Sequence, residues 1–394
     1  MGVKITGVRT KLFEMQLDRP LGDANSPQGR NRMSALAVYV DSDEGVTGIS
    51  LGSPGARSHI HAMVNDLLVG HDPRGVRGLW KKMVDFVFKG GNRGVASDAI
   101  SALDVALWDL KAKLNDEPLW KTLGASTRRV RAYASGIDLC LSDGEIFNFY
   151  REMASLGVSA GKLKGGLDRD ADLRRLGIMR EALARSGKKP DLLLDVNEYW
   201  SPKQAIRNIQ AIEERYELVW VEEPARRWDY RGLRQVSRAI KAAVATGENL
   251  DDVSEFMPLV ANEAVDVLNI GSGSSGITGA MQVADLAYAF ELPVTMMNCP
   301  GNYMAHLAAA LPNHWMMEVV GAGREKALKV DNHIEDGWIV LGDKPGLGIE
   351  FDEQMLEQWA VEAASPGSQA SPWGRRRGAG LFEVGPQEPE WPEE

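Results

Sequence analysis

The sequence predicts an α/β protein: a parallel strand-and-helix barrel of the TIM type, (β/α)7β, preceded by an N-terminal α+β capping domain. Three observations carry this expectation. Short apolar runs end in acids at Asp195, Glu222 and Glu248, 27 and 26 residues apart, the length of one strand, one helix and two short connections. Strand-like patterns come first in the chain and helical ones follow, as in a separate α+β unit. The chain has 394 residues, 44% hydrophobic and 25% charged, enough to bury a large core in two domains. Its expected divisions are residues 1–126 for the cap, 127–350 for the barrel, and 351–394 for a segment that returns to the cap and ends in an extended or disordered tail.

Composition narrows the partners. A net charge of −10 argues against nucleic acid and against an anionic membrane surface. Only Cys140 and Cys299 occur, too few for a disulfide framework and in keeping with a reducing cytoplasm. No apolar run reaches membrane-spanning length, and no signal-peptide pattern opens the chain.

From the start, Val3 to Met15 and Met33 to Leu51 read as strands, the second broken by the turn Asp41-Ser42-Asp43-Glu44-Gly45. Between them, Arg19 to Arg32 is rich in Gly, Pro, Asn and Ser without periodicity and reads as a long loop, either functional or simply mobile. Ile100, Leu103, Leu107, Leu110 and Leu114 follow the three-to-four spacing of a buried helix face, with Ser97 and Asp98 as cap candidates. Asp104 and Asp109 on that helix read as a solvated or interdomain face rather than as ligands.

Barrel strands begin near Val130-Arg131-Ala132-Tyr133-Ala134. Asp168 to Leu183 is an expected helix, with Leu173, Leu176, Met179 and Leu183 on one core stripe. In a closed parallel barrel the carboxyl ends of successive strands converge on one mouth. One acid at a strand end is an ordinary loop residue, but three in phase make a site. Asp195, Glu222 and Glu248 are hard oxygen donors suited to Mg2+. In the run Ala160-Gly161-Lys162-Leu163-Lys164-Gly165, Lys162 and Lys164 project to one face. Two cations side by side repel, so at least one pKa is expected to fall towards neutrality, which would make a general base.

Lys-x-Lys, then Asp-x-Asn at 195–197, then Glu-Glu-Pro at 222–224, then Gly-Glu-Asn at 247–249 resembles the enolase superfamily. Within it, the chain is similar to the mandelate racemase and muconate lactonizing enzyme family over about residues 1 to 350. The resemblance implies that Asp195, Glu222 and Glu248 bind Mg2+, that Lys164 is the base, and that Lys162 is its electrostatic partner. It further implies abstraction of a proton alpha to a carboxylate, with an enediolate stabilised by metal and lysine. The segment 101–110 resembles the family's helix leading into the barrel, and in the family the 19–32 loop covers the barrel mouth and helps to select the substrate.

Mandelate racemase relatives carry Asp on strand six and His on strand seven, and muconate lactonizing relatives carry Lys on strand six. This chain has Gly271 and Asn298 there. The Asn298 amide cannot transfer a proton near neutral pH. Tyr303 is the first substitute to consider, while His306 reads as a structural histidine on a helix. On strand eight, Glu318 matches the family's terminal Glu, expected to hydrogen-bond a substrate carboxylate when protonated, and Asn197 is a further substrate-contact candidate.

Gly271-Ser272-Gly273-Ser274-Ser275-Gly276 also matches a dinucleotide fingerprint between a strand and a helix, which keeps a nicotinamide-dependent oxidoreductase as a less favoured reading. The next strand, Pro293 to Met297, lacks the ribose-binding acid of that motif, so glycines shaping the barrel mouth are preferred. The expected activity is dehydration of a hydroxy (sugar) acid. A racemase or epimerase, or a carboxylate binder that has lost turnover, are the alternatives. The expected partner is a small-molecule carboxylate, and the chain is expected to form a homo-oligomer. Arg375, Arg376 and Arg377 in the 365–394 tail read as a solvated run or as a contact to a neighbouring subunit.

Overall fold

The computed structural model describes residues 2–271, 273, 276–364 and 384–386. Three antiparallel strands open the chain: β1 (Ile5–Asp23), β2 (Ser26–Ser42) and β3 (Thr47–Gly52). The predicted loop 19–32 is instead the outer half of the β1–β2 hairpin, with Leu21 opposite Arg30 and Asp23 opposite Ser26. The Asp23 carboxylate accepts the Asn25 and Ser26 N–H groups, an Asx turn that closes the hairpin without a glycine at its tip. Polar composition misled here because this ribbon extends beyond the sheet's buried face and needs little apolar alternation.

Helices follow as α1 (Arg57–Met63), α2 (Val76–Phe86), α3 (Val95–Leu114) and α4 (Leu119–Thr122). The α3 helix presents Ile100, Leu103, Leu107 and Leu110 to the core, while Leu114 is only partly buried at its end. It starts three residues earlier than a Ser97 cap implies and four earlier than an Asp98 cap: Gly94 is its N-cap, and Ser97 Oγ bonds the Gly273 carbonyl across to the barrel. Asp104 and Asp109 are fully buried rather than solvated, both holding backbone of distant elements. Asp109 takes the N–H groups of Ile49 and Leu347. Asp104 takes the Thr278 N–H and hydroxyl.

Eight parallel strands then close on themselves: β4 (Arg129–Ser135), β5 (Ala160–Lys164), β6 (Asp191–Asp195), β7 (Leu218–Glu222), β8 (Ala243–Thr246), β9 (Val267–Ile270), β10 (Val294–Met296) and β11 (His314–Val319), with β11 pairing β4. Outside them lie α5 (Asp143–Ser155), α6 (Arg169–Leu183), α7 (Pro202–Glu213), α8 (Tyr230–Ala239), α9 (Val253–Ala261), α10 (Gly276–Ala289) and the short α11 (Ala305–Ala308). The α6 stripe of Leu173, Leu176, Met179 and Leu183 is buried, and Asp168 caps the helix through the Asp170 and Ala171 N–H groups. Tyr133, Ala160, Leu193, Trp220, Ala245, Val267 and Met316 form a separate apolar plug among the barrel strands. That plug leaves only the mouth for chemistry. The segment after Phe351 returns to the cap, where the Val361 N–H bonds the Leu12 carbonyl. Residues 365–383 and 387–394, including the three tail arginines, lie outside the described residues.

Candidate active site

Strand register assembles the site. Lys164 stands opposite Asp195, and Asp195 opposite Glu222, so three charged residues form a row across β5, β6 and β7. Glu248, two residues beyond β8, completes the set. One carboxylate oxygen each from Asp195, Glu222 and Glu248 lies within 4.8 Å of the others. Repulsion among buried carboxylates is costly unless cations sit between them. The lysines provide some of that charge: Lys162 Nζ is 2.6 Å from Glu222, 3.1 Å from Glu318 and 3.2 Å from Asp195, and Lys164 Nζ is 2.5 Å from Asp195.

This pairing reverses one expectation. Burial pushes the Lys164 pKa down, but Asp195 and then Glu248 outweigh both burial and the neighbouring Lys162, and the result is upwards. Lys162 is likewise raised, by Glu222 and Glu318 against burial. Repulsion between the two cations is outweighed by the acids that strand register places against them. Burial, followed by the charge of Glu223, pushes Glu248 up to about 8. Asp195 is held low, since the two lysines overcome its burial. A set of three hard oxygen donors, Asp195 and Glu222 buried and Glu248 half-buried, with both glutamates reluctant to ionise without further positive charge, fits a divalent ion such as Mg2+.

Further shells hold the row in place. The Asn197 N–H donates to Asp195 Oδ1 at 2.9 Å, from a residue in the left-handed region (φ 46°). Its side-chain Oδ1 is buried and has no partner among the described residues. Sequence reasoning missed Asp138, Tyr150 and Arg175. Asp138 Oδ1 takes the Lys164 N–H at 3.0 Å, and Arg175 donates to the Lys164 carbonyl at 2.7 Å and to Asp138. The Tyr150 hydroxyl lies 2.6 Å from the Lys162 carbonyl. The backbone of Lys164 is therefore clamped from both sides. No motif announces these residues, because their role depends on three separate connections meeting.

The opposite wall differs. A Cβ at Gly271 would come within 2.8 Å of the Glu248 carbonyl, so the end of strand six has no room for a side chain. Asn298 donates to Glu318 Oε2 at 2.5 Å and accepts from Arg324 Nη1. Glu318 departs from the protonated form considered above: it is buried, but Lys162, Lys164 and Asn298 hold it down at about 2. As a carboxylate it is an ion-pair partner of Lys162. Tyr303 is buried in the hydrophobic core after β10. His306 accepts the Trp120 N–H and bonds the Leu347 carbonyl, a structural role. The glycine-rich turn leads into α10, but the N–H of Thr278 at that helix start is already taken by Asp104, where a pyrophosphate would have to bind.

The hairpin reaches this mouth. The Gly22 N–H bonds the Ile137 carbonyl, the Leu139 N–H bonds the Gly22 carbonyl, and Asp23 adds to the field on Lys164.

Residues 10–124 match the mandelate racemase / muconate lactonizing enzyme N-terminal domain, and residues 146–355 match the enolase C-terminal domain-like family. The chain belongs to the mandelate racemase / muconate lactonizing enzyme family. Within that family it is 30% identical over 369 residues to the 3,6-anhydro-alpha-L-galactonate cycloisomerase of Streptomyces coelicolor, covering 91% of this chain and 99% of the relative. It is also 30% identical to the L-talarate/galactarate dehydratase of Salmonella typhimurium, with 90% of each chain covered. The crystal structure of L-talarate dehydratase from Polaromonas sp., complexed with Mg and L-glucarate, superposes with a TM-score of 0.82 at 28% identity, covering 92% of this chain and 98% of that one. Among the described residues, no helix of this family member is long and apolar enough to cross a membrane.

Proposed function

We propose that this chain is a Mg2+-dependent lyase that removes water from a sugar acid, with Lys164, among the described residues, as the only proton-transferring side chain facing the reacting carbon. The observation that carries this reading is the asymmetry of the mouth: lysines and acids line strands two to five, while Gly271 and Asn298 occupy the strand-six and strand-seven ends. Asp195, Glu222 and Glu248 would hold Mg2+, which when bound lowers the energy of negative charge growing on the substrate carboxylate. Lys164 takes the alpha proton as the neutral amine, the form favoured where a bound cation would offset the Asp195 and Glu248 charge that raises it, and Lys162, fixed between Glu222 and Glu318, adds positive charge beside the same oxygens. The beta-hydroxyl then departs as water, taking a proton back from Lys164, and the enol left behind becomes a 2-keto-3-deoxy acid. Asn197, with its open Oδ1, and Asn298 contact substrate hydroxyls. Tyr303 has no part in this scheme.

The relatives' names support a sugar acid, and the lack of a second base at the strand-six and strand-seven ends, among the described residues, disfavours racemisation. We further propose the division at residues 126 and 350, a cytoplasmic location suited to two free cysteines, and a homo-oligomeric state. The test is turnover of a panel of acid sugars with Mg2+ in D2O. Formation of a keto-deoxy acid supports the reading. Interconversion of two epimers, each labelled at the alpha carbon, would overturn it in favour of a racemase.

A further inference from the structure

Two cations that dehydration does not use sit against the ends of barrel strands seven, eight and one. Arg19, on the hairpin, donates Nη1 to the Gly136 carbonyl and Nη2 to the Val320 carbonyl at 3.0 Å. Gly136 follows β4 and Val320 follows β11, so this side chain lies across the mouth ends of two adjacent strands. Its guanidinium rests on the Phe149 ring, 4.5 Å from the centroid. Arg324, from the loop after β11, donates to Asn298 Oδ1 at the end of strand seven.

Among the described residues neither guanidinium has a carboxylate within ion-pair distance; their acceptors are two carbonyls and an amide. Nearby acids are engaged otherwise. Asp23 closes the hairpin turn, and Asp138 pairs with Arg175. Glu325, next to Arg324, makes no ion pair with it; burial raises its pKa, and the Arg324 charge acts the other way. Burial also disfavours the charge on Arg19, and Arg324 adds repulsion, against the pull of Asp138. A desolvated guanidinium with only neutral acceptors is costly, and a carboxylate accepting from its remaining N–H groups removes that cost.

We infer that Arg19 and Arg324 form a second anion subsite that receives the distal carboxylate of a dicarboxylic sugar acid, making sugar diacids rather than monoacids the preferred substrates. This rests on the reading that the reacting carboxylate sits at Asp195, Glu222 and Glu248, on strands three to five. The arginines, bonded to the ends of strands seven, eight and one, then lie towards the other end of the same molecule. A monoacid offers that end only a hydroxyl, which leaves both cations without a counter-charge.

The experiment measures binding of paired diacids and monoacids, galactarate with galactonate and glucarate with gluconate, to the Mg2+-loaded full chain by calorimetry. Wild type is expected to bind at least one diacid tenfold or more tighter than its monoacid. Arg324→Met should bring that ratio near one, with any loss from the released Asn298 falling on diacid and monoacid alike, and Arg19→Lys, which keeps the charge, should retain most of it. Arg19→Met also loosens the hairpin, so Arg324→Met decides the matter, with Mg2+-dependent thermal stabilisation confirming that each variant is folded. Equal affinities within both pairs, no diacid binding, or a ratio unchanged in Arg324→Met would overturn the subsite. Turnover is scored separately. Diacid preference without water loss leaves the subsite standing and removes the dehydratase reading, whereas water loss from monoacids with no diacid preference does the opposite.

Discussion

The two halves of the barrel mouth follow different rules. On strands two to five, every strand end contributes a charged residue, and both lysines are fixed by acids: Lys164 by Asp195, Lys162 by Glu222 and Glu318. On strands six and seven the ends are a glycine under a backbone carbonyl and an amide held between Glu318 and Arg324. The first half has charge that can move a proton, and the second has shape and fixed dipoles. Under the function proposed, such a site would attack its substrate from one side only.

The largest expected effect comes from removing the first half's base. Lys164→Ala should lower kcat by about 10³-fold or more, in the range for loss of a general acid–base group. Asn298→Ala should cost only about tenfold, because a hydrogen-bonding amide is lost and no proton carrier. Equal losses in the two variants, measured as steady-state turnover and alpha-proton exchange, would erase the distinction between the halves.

A smaller effect tests whether the halves are mechanically linked. Mg2+ at a hundred times its Kd should stabilise wild type by about 2.7 kcal/mol, read as a rise in Tm that EDTA reverses. Glu248→Gln should abolish that rise. Gly271→Ala should reduce it, because its Cβ must displace the Glu248 carbonyl that it would meet at 2.8 Å. A Gly271→Ala variant with wild-type Mg2+ response would show that the glycine is incidental.

The smallest effect concerns the support beneath strand six. Burial pushes Asp104 up to about 7, although Thr278 donates to it and lowers it. Because the folded pKa lies above the unfolded value, this group's contribution is full below pH 4 and is lost as pH rises through 7. Asp104→Asn stays neutral throughout. The variant should therefore be destabilised relative to wild type at pH 5 and recover about 1–3 kcal/mol of that difference by pH 8, as measured by urea unfolding. An identical penalty at both pH values would mean that Asp104 is not held near neutrality by its burial.

What the sequence made legible follows from periodicity. Acids 195, 222 and 248 share a phase, and a closed parallel sheet converts phase into proximity, so the barrel and its acidic cluster could be read in advance. Lys162 and Lys164 were legible as a pair, but their protonation was not, since it depends on acids brought beside them by register. Arg19, Asp138, Tyr150, Arg175 and Arg324 were invisible for the same reason: each acts through a contact whose partner is remote or unpatterned. The hairpin was read as a loop because its polar tip is held by an Asx turn and by contacts to the barrel, neither of which leaves an apolar alternation. Gly271 was seen as a departure, yet its cause, the Glu248 carbonyl, is a matter of packing.

The hairpin's anchorage also sets an order in time. The acidic cluster and its lysines come from consecutive strands and can assemble as neighbouring units dock. Arg19, by contrast, joins residues 117 and 301 positions away along the chain. Contacts of such long range carry the greatest loop-closure cost and form late. A refolding molecule thus regains its acidic cluster before it regains the wall that Arg19 supplies, and during that interval it can hold a metal ion while still being indifferent to what it is offered.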